Sequence, residues 1–318
     1  GVDGLGNAVW KANTEVAVRL IRHTIELMWK HKSFPESMKD AKTIFLYKGG
    51  DKEEAKSWRP ITIMTTLYRA MTAHMAHCLQ VLNMSHRFIS PQQKGFMMTP
   101  AGAIEHITLV NEMISDASRN HKSLYLVSLD LRDAFGSVPH ELIMRNMEGL
   151  GIPEEFIDAI RDMYDGCKTK MTTSQGTSRP FLLNRGVKQG CPLSPTLFNC
   201  CIEPLLRRLN QRAARDGYHV AGDAIAVLAY ADDVLLISDT EKGMNNLLRL
   251  TEEFCEYAQL TVNAQKCRSL TYIVQQRSRS TISTEFRVRG EAIPAVSLEG
   301  TFEYLGAAIG VVGTRRMR

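Results

Sequence analysis

One short stretch of this sequence, Leu228–Ser238, constrains the fold and the chemistry of the chain more than any other. It reads LAYADDVLLIS, with apolar runs on both sides of Asp232-Asp233. Apolar runs separated by turn residues predict a β-hairpin, here with strands Ala224–Tyr230 and Val234–Ile237 and the two carboxylates at its tip. Adjacent acids beside buried strands are costly unless a cation compensates their charge. The stretch therefore predicts either a solvated turn or a cation site.

Size and composition set outer limits on what the chain can be. Its 318 residues, 44% of them hydrophobic, suffice for one large core or two lobes. The excess of 39 Lys and Arg over 34 Asp and Glu is compatible with a nucleic-acid partner without demonstrating one. We find no apolar stretch of about 18 residues and no signal-peptide pattern, so no membrane partner is expected. The seven cysteines are odd in number and lack a C-x-x-C pair, which favours a reducing compartment.

Hydrophobic periodicity predicts an α+β fold, because strands are mixed with long helices without regular βαβ alternation. The first helix is expected to be capped by Asn13 or Thr14. Its predicted apolar face carries Val16, Leu20, Ile21, Ile25 and Met28. Helices are predicted at about 13–32, 66–82, 103–119, 141–149, 153–164, 196–212 and 244–257. Strands are predicted at 43–47, 58–62, 124–131, 168–183, 224–237, 261–263, 285–290 and 301–310.

A second metal-site candidate lies on the predicted helix at 66–82. His74, His77 and Cys78 fall on neighbouring turns, which is compatible with zinc. A fourth ligand is not nearby in the sequence, so we favour an ordinary helix surface. The first residues, GVDGLG, are loop-like and lack an initiator Met, which indicates a start inside a longer protein.

Seven motifs occur in a fixed order along the chain and together resemble the polymerase motifs of reverse transcriptases. They are Trp58-Arg59-Pro60-Ile61, Gln93…Gly95-Phe96, Asp130…Phe135, Gln189-Gly190, Tyr230-Ala231-Asp232-Asp233, Asn263…Lys266 and Phe302…Tyr304-Leu305-Gly306. The residues of these motifs are most similar to those of the non-LTR retrotransposon branch, with group II intron maturases as more distant relatives. Gln93–Phe96 and Glu105-His106 look most like the branch that carries a restriction-like endonuclease.

The resemblance implies a right-hand polymerase with fingers and palm. It assigns residues 1–98 to the fingers, 99–140 to the first part of the palm, 141–185 to a fingers/palm insertion, and 186–318 to the palm with the YADD hairpin and the primer grip. A central antiparallel palm sheet should pack on helices. The thumb is expected to be missing, as are the endonuclease, zinc-finger and RNase H segments.

The implied chemistry is RNA-directed DNA synthesis by nucleotidyl transfer, in which a primer 3′-hydroxyl attacks an α-phosphate in line. Two Mg²⁺ ions, with Mn²⁺ as an alternative, would stabilise the attacking and leaving oxygens. By resemblance, Asp130 and Asp232 bridge the metals, Asp233 assists, and the carbonyl of Leu131 completes one coordination sphere. Taken alone, Asp130 could equally be an edge-strand carboxylate.

Five further residues are implied in nucleotide binding. The ring of Phe135 would pack under the sugar and exclude a 2′-hydroxyl, although a plain core phenylalanine is the alternative. Gln189-Gly190 would touch the nucleotide and template. Arg59 and Lys48 would hold the triphosphate, with Lys52 as a rival for Lys48 and solvated surface charge as the alternative for each. Gly136 follows Phe135 where relatives frequently carry Asp or Asn, which leaves the rigidity of that loop open.

The remaining implied residues concern the leaving group, the primer and the template. Lys266 resembles a lysine that protonates departing pyrophosphate. Phe302, Tyr304, Leu305 and Gly306 resemble the primer-grip hairpin. After Phe96 this chain carries Met97-Met98-Thr99-Pro100 where many relatives have a basic residue, so template grip there is less expected.

The expected partners are template RNA, a DNA primer and dNTPs, together with the thumb and endonuclease domains of a parent polyprotein. The reducing compartment would be the nucleus or the cytoplasm, with the nucleus favoured if the element primes on chromosomal DNA. Two rival functions remain: a catalytically inactive nucleic-acid-binding remnant, and an RNA-directed RNA polymerase. The three intact aspartates weigh against the first rival, and Phe135 with YADD against the second.

Overall fold

The computed structural model describes residues 3–4, 6–98, 102–275, 278–280, 284–297, 299–311 and 315–316. The chain divides into two compact units: residues 1–88 with 135–201, and residues 89–134 with 202–318. Of the residues so described, no helix is long and apolar enough to cross a membrane.

The helices, in chain order, are α1 (Asn7–Ala12), α2 (Thr14–His31), α3 (Glu36–Lys39), α4 (Thr66–His86), α5 (Gly102–Arg119), α6 (Ala134–Ser137), α7 (His140–Gly149), α8 (Glu154–Tyr164), α9 (Ser194–Asn210), α10 (Ala213–Asp216) and α11 (Glu241–Tyr257).

The strands are β1 (Ala41–Tyr47), β2 (Trp58–Ile63), β3 (Leu124–Leu129), β4 (Lys168–Thr173), β5 (Gly176–Thr177), β6 (Phe181–Leu182), β7 (Tyr218–Val220), β8 (Asp223–Ile225), β9 (Val227–Tyr230), β10 (Asp233–Ser238), β11 (Arg268–Gln275), β12 (Ser278–Ser280), β13 (Arg287–Val288), β14 (Glu291–Ala292), β15 (Ala295–Val296), β16 (Phe302–Tyr304), β17 (Ala307–Ile309) and β18 (Arg315–Arg316).

The first unit is built on a sheet of order β2-β1-β4-β5, with β6 also paired to β4. The predicted strands at 43–47 and 58–62 are present as the β1–β2 hairpin, which closes through a charged loop with a 3₁₀ turn at Ala55–Ser57. The predicted hairpin at 168–183 is also present, because β4 pairs antiparallel with β5 and with β6.

The second unit is built on a sheet of order β12-β11-β3-β10-β9, with β15 on β11. The central strand β3 pairs antiparallel with β10 on one side and with β11 on the other. Leu124 and Leu126 of β3, Leu235 and Ile237 of β10, and Tyr304 of β16 belong to one buried core cluster. A predominantly antiparallel sheet covered by α5 and α11 agrees with the predicted α+β class.

The α2 helix begins and ends where the sequence predicts, with the Asn13 side chain accepting a hydrogen bond from Val16 N–H. The predicted apolar face of this helix was only partly right. Met28 is buried and Ile21 and Ile25 are half-buried, whereas Val16 and Leu20 are exposed.

Three strand predictions need correction. The residues Thr261–Asn263 form no strand; Val262 makes a single bridge to Leu131. The β11 strand was not predicted at all, although it is one of the longest in the sheet. The predicted run Ala224–Tyr230 is divided, because Asp223–Ile225 forms a separate hairpin with β7 before β9 begins at Val227.

Candidate active site

The β9–β10 hairpin carries two of the predicted catalytic acids, but its tip differs from the prediction. Tyr230 pairs with Asp233, so the two-residue turn consists of Ala231 and Asp232, and Asp233 is the first residue of β10. Ala231 adopts a left-handed backbone with φ +54° and is buried. The two carboxylates therefore differ in setting: Asp232 lies in the turn, and Asp233 lies on the strand.

Asp130 lies directly after β3, where the neighbouring backbone holds it. Its carbonyl accepts a hydrogen bond from Asn263 N–H at 2.8 Å, and its N–H donates to Cys267 Sγ at 3.4 Å. The next residue, Leu131, is buried and bridges Val262. The Asn263–Cys267 turn thus fixes the backbone that carries Asp130 and the Leu131 carbonyl predicted to bind metal.

The register of β3 against β10 brings the acids into one electrostatic cluster. Leu129 pairs with Val234, so Asp130 and Asp233 are the next residues on the two strands. Partial burial, followed by the charges of Asp232, Asp130 and Glu303, raises the pKa of Asp233 to about 6. The residue as a whole is nevertheless exposed, so solvent screens part of this repulsion.

The chemistry of this donor set fits a hard divalent cation. Carboxylate and carbonyl oxygens are the ligands that Mg²⁺ and Mn²⁺ prefer. Burial and then the neighbouring acids raise the pKa of Asp233, and a positive charge nearby would favour its ionised form. Within the described ranges, no three His, Cys, Asp or Glu side chains are already placed to hold a metal ion. The three aspartates are thus a suitable donor set without forming a closed cage.

Lys266 and the residues of the predicted primer grip lie in the same unit as the three aspartates. Lys266 is exposed, in the turn whose backbone supports Asp130. The β16–β17 hairpin turns at Leu305 and Gly306, both with left-handed backbones. Phe302 and Tyr304 are buried in the core, so the residues at the surface of this hairpin are Glu303, Leu305 and Gly306.

In the first unit, the predicted triphosphate-binding residues lie on the β1–β2 hairpin. Arg59 is exposed and pairs with Leu46, and Lys48 lies two residues beyond Leu46. Because side chains alternate along a strand, Arg59 and Lys48 project from the same face. The Lys52 ammonium instead lies 5.6 Å from the centre of the Tyr47 ring, on the opposite face.

The Gln189-Gly190 loop is hydrogen-bonded to β2. The Gln189 carbonyl accepts a hydrogen bond from Thr62 N–H at 2.7 Å. Gly190 has φ +113°, and a Cβ there would lie 2.8 Å from the Thr62 carbonyl oxygen. The glycine is therefore required by both its backbone conformation and its close approach to β2.

Phe135 is half-buried and stacks on Phe198, with ring centroids 4.7 Å apart and planes inclined by 13°. Phe135 and Gly136 lie in the short helix α6, whose backbone contacts the segment at Gly186-Val187. The Phe135 carbonyl accepts from Val187 N–H at 2.7 Å, and a Cβ on Gly186 would lie 2.6 Å from the Gly136 carbonyl oxygen. The residues after Phe135 are therefore helical and held by backbone hydrogen bonds, although Gly136 replaces the more frequent Asp or Asn.

The three residues considered as zinc ligands, His74, His77 and Cys78, lie exposed on α4. Cys78 Sγ is 3.6 Å from His74 Nε2, as expected for neighbours one turn apart.

The Thr99 and Pro100 positions of the template-grip segment lie outside the described residues.

Two residues near the acids had no role assigned from the sequence. Glu303 adds a fourth negative charge beside Asp233. The alternation Phe302-Glu303-Tyr304, with an acid between two aromatic residues, is the sequence signal that could have predicted an exposed carboxylate on this strand. Gln93 was noted only as part of a motif, yet its buried side chain contacts the turn at Ala231.

Comparison with known proteins gives the same family signature over most of the chain. The family described as "Reverse transcriptase (RNA-dependent DNA polymerase)" matches residues 48–309. The Pol polyprotein of the type-2 retrotransposable element R2DM from Drosophila melanogaster is 30% identical over 311 residues, covering 97% of this chain and 28% of the relative. The Pol polyprotein of the type-1 element R2 from Popillia japonica is 31% identical over 300 residues, covering 94% and 41%.

Solved structures support the same fold. A telomerase from Candida albicans, in complex with a TWJ fragment of telomeric RNA, superposes with a TM-score of 0.59 at 11% identity, covering 93% of this chain and 49% of that one. Apo telomerase from Candida tropicalis gives 0.57 at 12% identity, covering 93% and 53%. This likeness confirms the predicted α+β polymerase fold. The chain spans less than half the length of the two retrotransposon relatives.

Proposed function

The chain belongs to the reverse transcriptase (RNA-dependent DNA polymerase) family, and we propose that it copies the RNA of a non-LTR retroelement into DNA. The observation that carries this proposal is the cluster of Asp130, Asp232 and Asp233 at the ends of β3 and of the β9–β10 hairpin. Burial, followed by the charges of the neighbouring acids, raises the pKa of Asp233, and a bound cation would favour the ionised carboxylate.

Members of this family generally use divalent metal ions. We infer that Asp130 and Asp232 would hold two Mg²⁺ ions, with Asp233 and the Leu131 carbonyl as further ligands. When bound, the metals would stabilise the attacking and leaving oxygens of an in-line displacement. Each acid supplies hard oxygen ligands, and the Asn263–Cys267 turn keeps the Asp130 backbone in place.

Other residues of the chain bind and orient the reactants in this proposal. Arg59 and Lys48 hold triphosphate oxygens, for which the forked donors of Arg are well matched. Phe135 supports the sugar, and the Gln189-Gly190 loop, fastened to β2, contacts the nucleotide and template. Lys266, exposed beside the Asp130 backbone, gives a proton to the departing pyrophosphate. Leu305 and Gly306 contact the primer end.

In the same proposal, residues 1–98 form the fingers, residues 99–140 and 186–318 form the palm, and residues 141–185 form an insertion. The two compact units divide the chain at other points, namely 88/89, 134/135 and 201/202. Template RNA, a DNA primer and dNTPs are its substrates. None of the seven cysteines forms a disulfide, which is compatible with a reducing compartment, and we propose the nucleus for an element that primes on chromosomal DNA.

Primer extension tests this function against its two rivals. A DNA primer annealed to an RNA template is incubated with the chain, with dNTPs or NTPs, and with Mg²⁺, Mn²⁺ or chelator. We expect cation-dependent extension with dNTPs. Extension with NTPs in preference would favour an RNA-directed RNA polymerase. Binding of the primed template without extension, under every cation, would favour an inactive nucleic-acid-binding remnant.

A further inference from the structure

The side chain of Gln93 is buried and contacts the backbone of the turn that carries Asp232. Its Oε1 accepts hydrogen bonds from Ala231 N–H at 2.7 Å and from Gly95 N–H at 2.8 Å. Its Nε2 donates to the Ala231 carbonyl at 3.4 Å. One amide side chain therefore binds both backbone polar groups of the residue that immediately precedes Asp232.

The backbone around Gln93 holds this side chain in place. Ala229 N–H donates to the Gln92 carbonyl at 3.0 Å, and Lys94 N–H donates to the Ala229 carbonyl at 2.9 Å. Gln93 and Ala229 form a parallel bridge. The segment from Gln92 to Lys94 thus runs along β9 like a short added strand and delivers the Gln93 side chain to the end of that strand.

Gly95 allows this approach. A Cβ at Gly95 would lie 2.2 Å from Ala231 N and 2.7 Å from the Tyr230 carbonyl carbon, distances that no side chain tolerates without backbone movement. The two motifs therefore contact each other through backbone, and the contact is closest at the peptide between Tyr230 and Ala231.

The turn itself needs such support. Ala231 has φ +54°, a left-handed conformation that is unfavourable for a residue with a Cβ and persists only where the surroundings hold it. A type I′ or II′ hairpin turn would ordinarily place Gly, Asn or Asp at such a position. Here the two hydrogen bonds from the glutamine amide to Ala231 compensate for a turn residue that does not favour its own conformation.

We propose that Gln93 is a positioning residue that fixes the Ala231–Asp232 peptide, and with it the direction of the Asp232 carboxylate. The inference rests on the proposed function, in which Asp232 binds metal. A glutamine is required because its amide accepts from one backbone group of Ala231 and donates to the other. A thioether of similar length cannot donate and accepts only weakly, and an amide shorter by one methylene is held farther from the turn.

The test compares Gln93→Met with Gln92→Met. The two substitutions are chemically identical and adjacent, but the Gln92 side chain accepts from Asn210 Nδ2 at 2.9 Å and does not contact the turn. The readouts are amide hydrogen exchange at Ala231 and Gly95 in the whole chain, thermal unfolding, and single-turnover extension with saturating primed template. We expect Gln93→Met to lose exchange protection at Ala231 and to slow extension about a hundredfold, the scale of an ångström misplacement. Gln92→Met should retain both.

A second substitution separates positioning from general damage. Glycine adopts φ +54° without strain, so Ala231→Gly in the Gln93→Met background should recover part of the lost rate. A merely structural role for Gln93 predicts no such recovery, because removing a buried methyl group adds to the damage. Where Gln93→Met fails to fold, Gln93→Asn replaces it, since it keeps an amide and withdraws it by one methylene.

The outcomes distinguish this inference from the proposed function. A wild-type chain that extends no primer under any cation contradicts the proposed function, while the exchange of the Ala231 amide still decides whether Gln93 holds the turn. Wild-type exchange at Ala231 in Gln93→Met, or a wild-type extension rate in that variant, overturns the inference and leaves the reverse transcriptase proposal intact.

Discussion

Asp130 and Asp233 occupy the next opposite positions beyond the Leu129–Val234 pair that joins β3 to β10. Opposite residues on antiparallel strands have Cβ atoms about 5 Å apart, and like charges in such positions repel. Asp130 and Asp233 are about a hundred residues apart in the sequence, and the register of β3 against β10 brings them together. Their proximity costs stability by itself, and a bound cation, as in the proposed function, would offset the repulsion.

Replacing Asp232 by Asn tests the metal assignment. Asp232→Asn keeps the shape of the side chain and removes its charge, so the fold should persist. We expect single-turnover nucleotide incorporation to fall at least about a thousandfold, which corresponds to roughly 4 kcal/mol of activation barrier.

The matched control is Asp223→Asn, on an exposed residue of the neighbouring β7–β8 hairpin. It removes the same charge nearby and should leave the rate within about twofold, since surface charges contribute little. If Asp232→Asn incorporated nucleotides as fast as this control, the assignment of Asp232 as a metal ligand would fail.

The raised pKa of Asp233 predicts a pH-dependent stability in the absence of divalent cations. The pKa is about 6 in the folded chain, against 3.8 for an ordinary aspartate. Between these values the folded state binds more protons than the unfolded state, so the free energy of unfolding falls as pH rises from about 4 to 6. Asp233→Asn removes this titrating group and with it this pH dependence of the free energy of unfolding.

The measurement is the difference in thermal midpoint between Asp233→Asn and wild type, with chelator present. We expect the variant to be the more stable protein at pH 7 and the difference to shrink towards pH 4. Adding Mg²⁺ at pH 7 should stabilise the wild type more than the variant, since a ligand of the folded state raises its stability. A difference that is constant from pH 4 to 7 would contradict the raised pKa of Asp233.

Much of this arrangement could be predicted from the sequence, because its signals are local. The α2 cap at Asn13, the β1–β2 hairpin and the strand before Asp130 follow from capping residues and alternation. The turn at Ala231 was placed one residue late, because Asp-Asp has the composition of a turn while Ala231 has not. The alanine is held there by contacts from a distant segment, namely the hydrogen bonds with Gln93 and the close approach of Gly95.

The parts that could not be predicted depend on contacts between distant segments. The β11 strand begins with Arg268 and Ser269 and lacks a clear alternation, and its pairing with β3 decides its structure. Val16 and Leu20 fit a helical apolar stripe, but no periodicity shows which part of such a stripe is covered. The burial of Phe302 and Tyr304 likewise follows from the core they join rather than from their own hairpin.

The stacking of Phe135 on Phe198 leads to a prediction about sugar choice. Stacking on Phe198 restricts the movement of the Phe135 ring, so the ring should exclude a 2′-hydroxyl by steric clash. Phe135→Ala should therefore accept ribonucleotides more readily. We expect the ratio of kcat/KM for ribonucleotides over deoxyribonucleotides to rise about tenfold or more. Removing the half-buried ring should also lower the free energy of unfolding by about 2 kcal/mol.

The ratio of two sugars is measured on the same folded molecules, so it does not depend on how much of the protein is active. Phe181→Ala removes an exposed ring from β6 and provides the control, whose ratio should stay at the wild-type value. An unchanged ratio in Phe135→Ala would show that this phenylalanine serves packing alone.

The β1–β2 hairpin offers a choice between Lys48 and Lys52 that kinetics can decide. Arg59 pairs with Leu46, and Lys48 lies on the face of the hairpin that these two residues share. Lys52 is turned to the other face, above the Tyr47 ring, and its carbonyl accepts a hydrogen bond from Trp58 Nε1 at 2.9 Å. A triphosphate held by Arg59 can therefore be reached by Lys48 without rearrangement of the hairpin.

We expect Lys48→Ala and Arg59→Ala each to raise the KM for dNTPs about tenfold or more, because a hydrogen bond to a charged group contributes about 1.5–3 kcal/mol. Lys52→Ala removes the same charge from the same hairpin and should change KM less than twofold. Arg59→Lys should recover little, since an ammonium lacks the forked donors of a guanidinium. A larger effect at Lys52 than at Lys48 would reverse the assignment and place the triphosphate on the Tyr47 face of the hairpin.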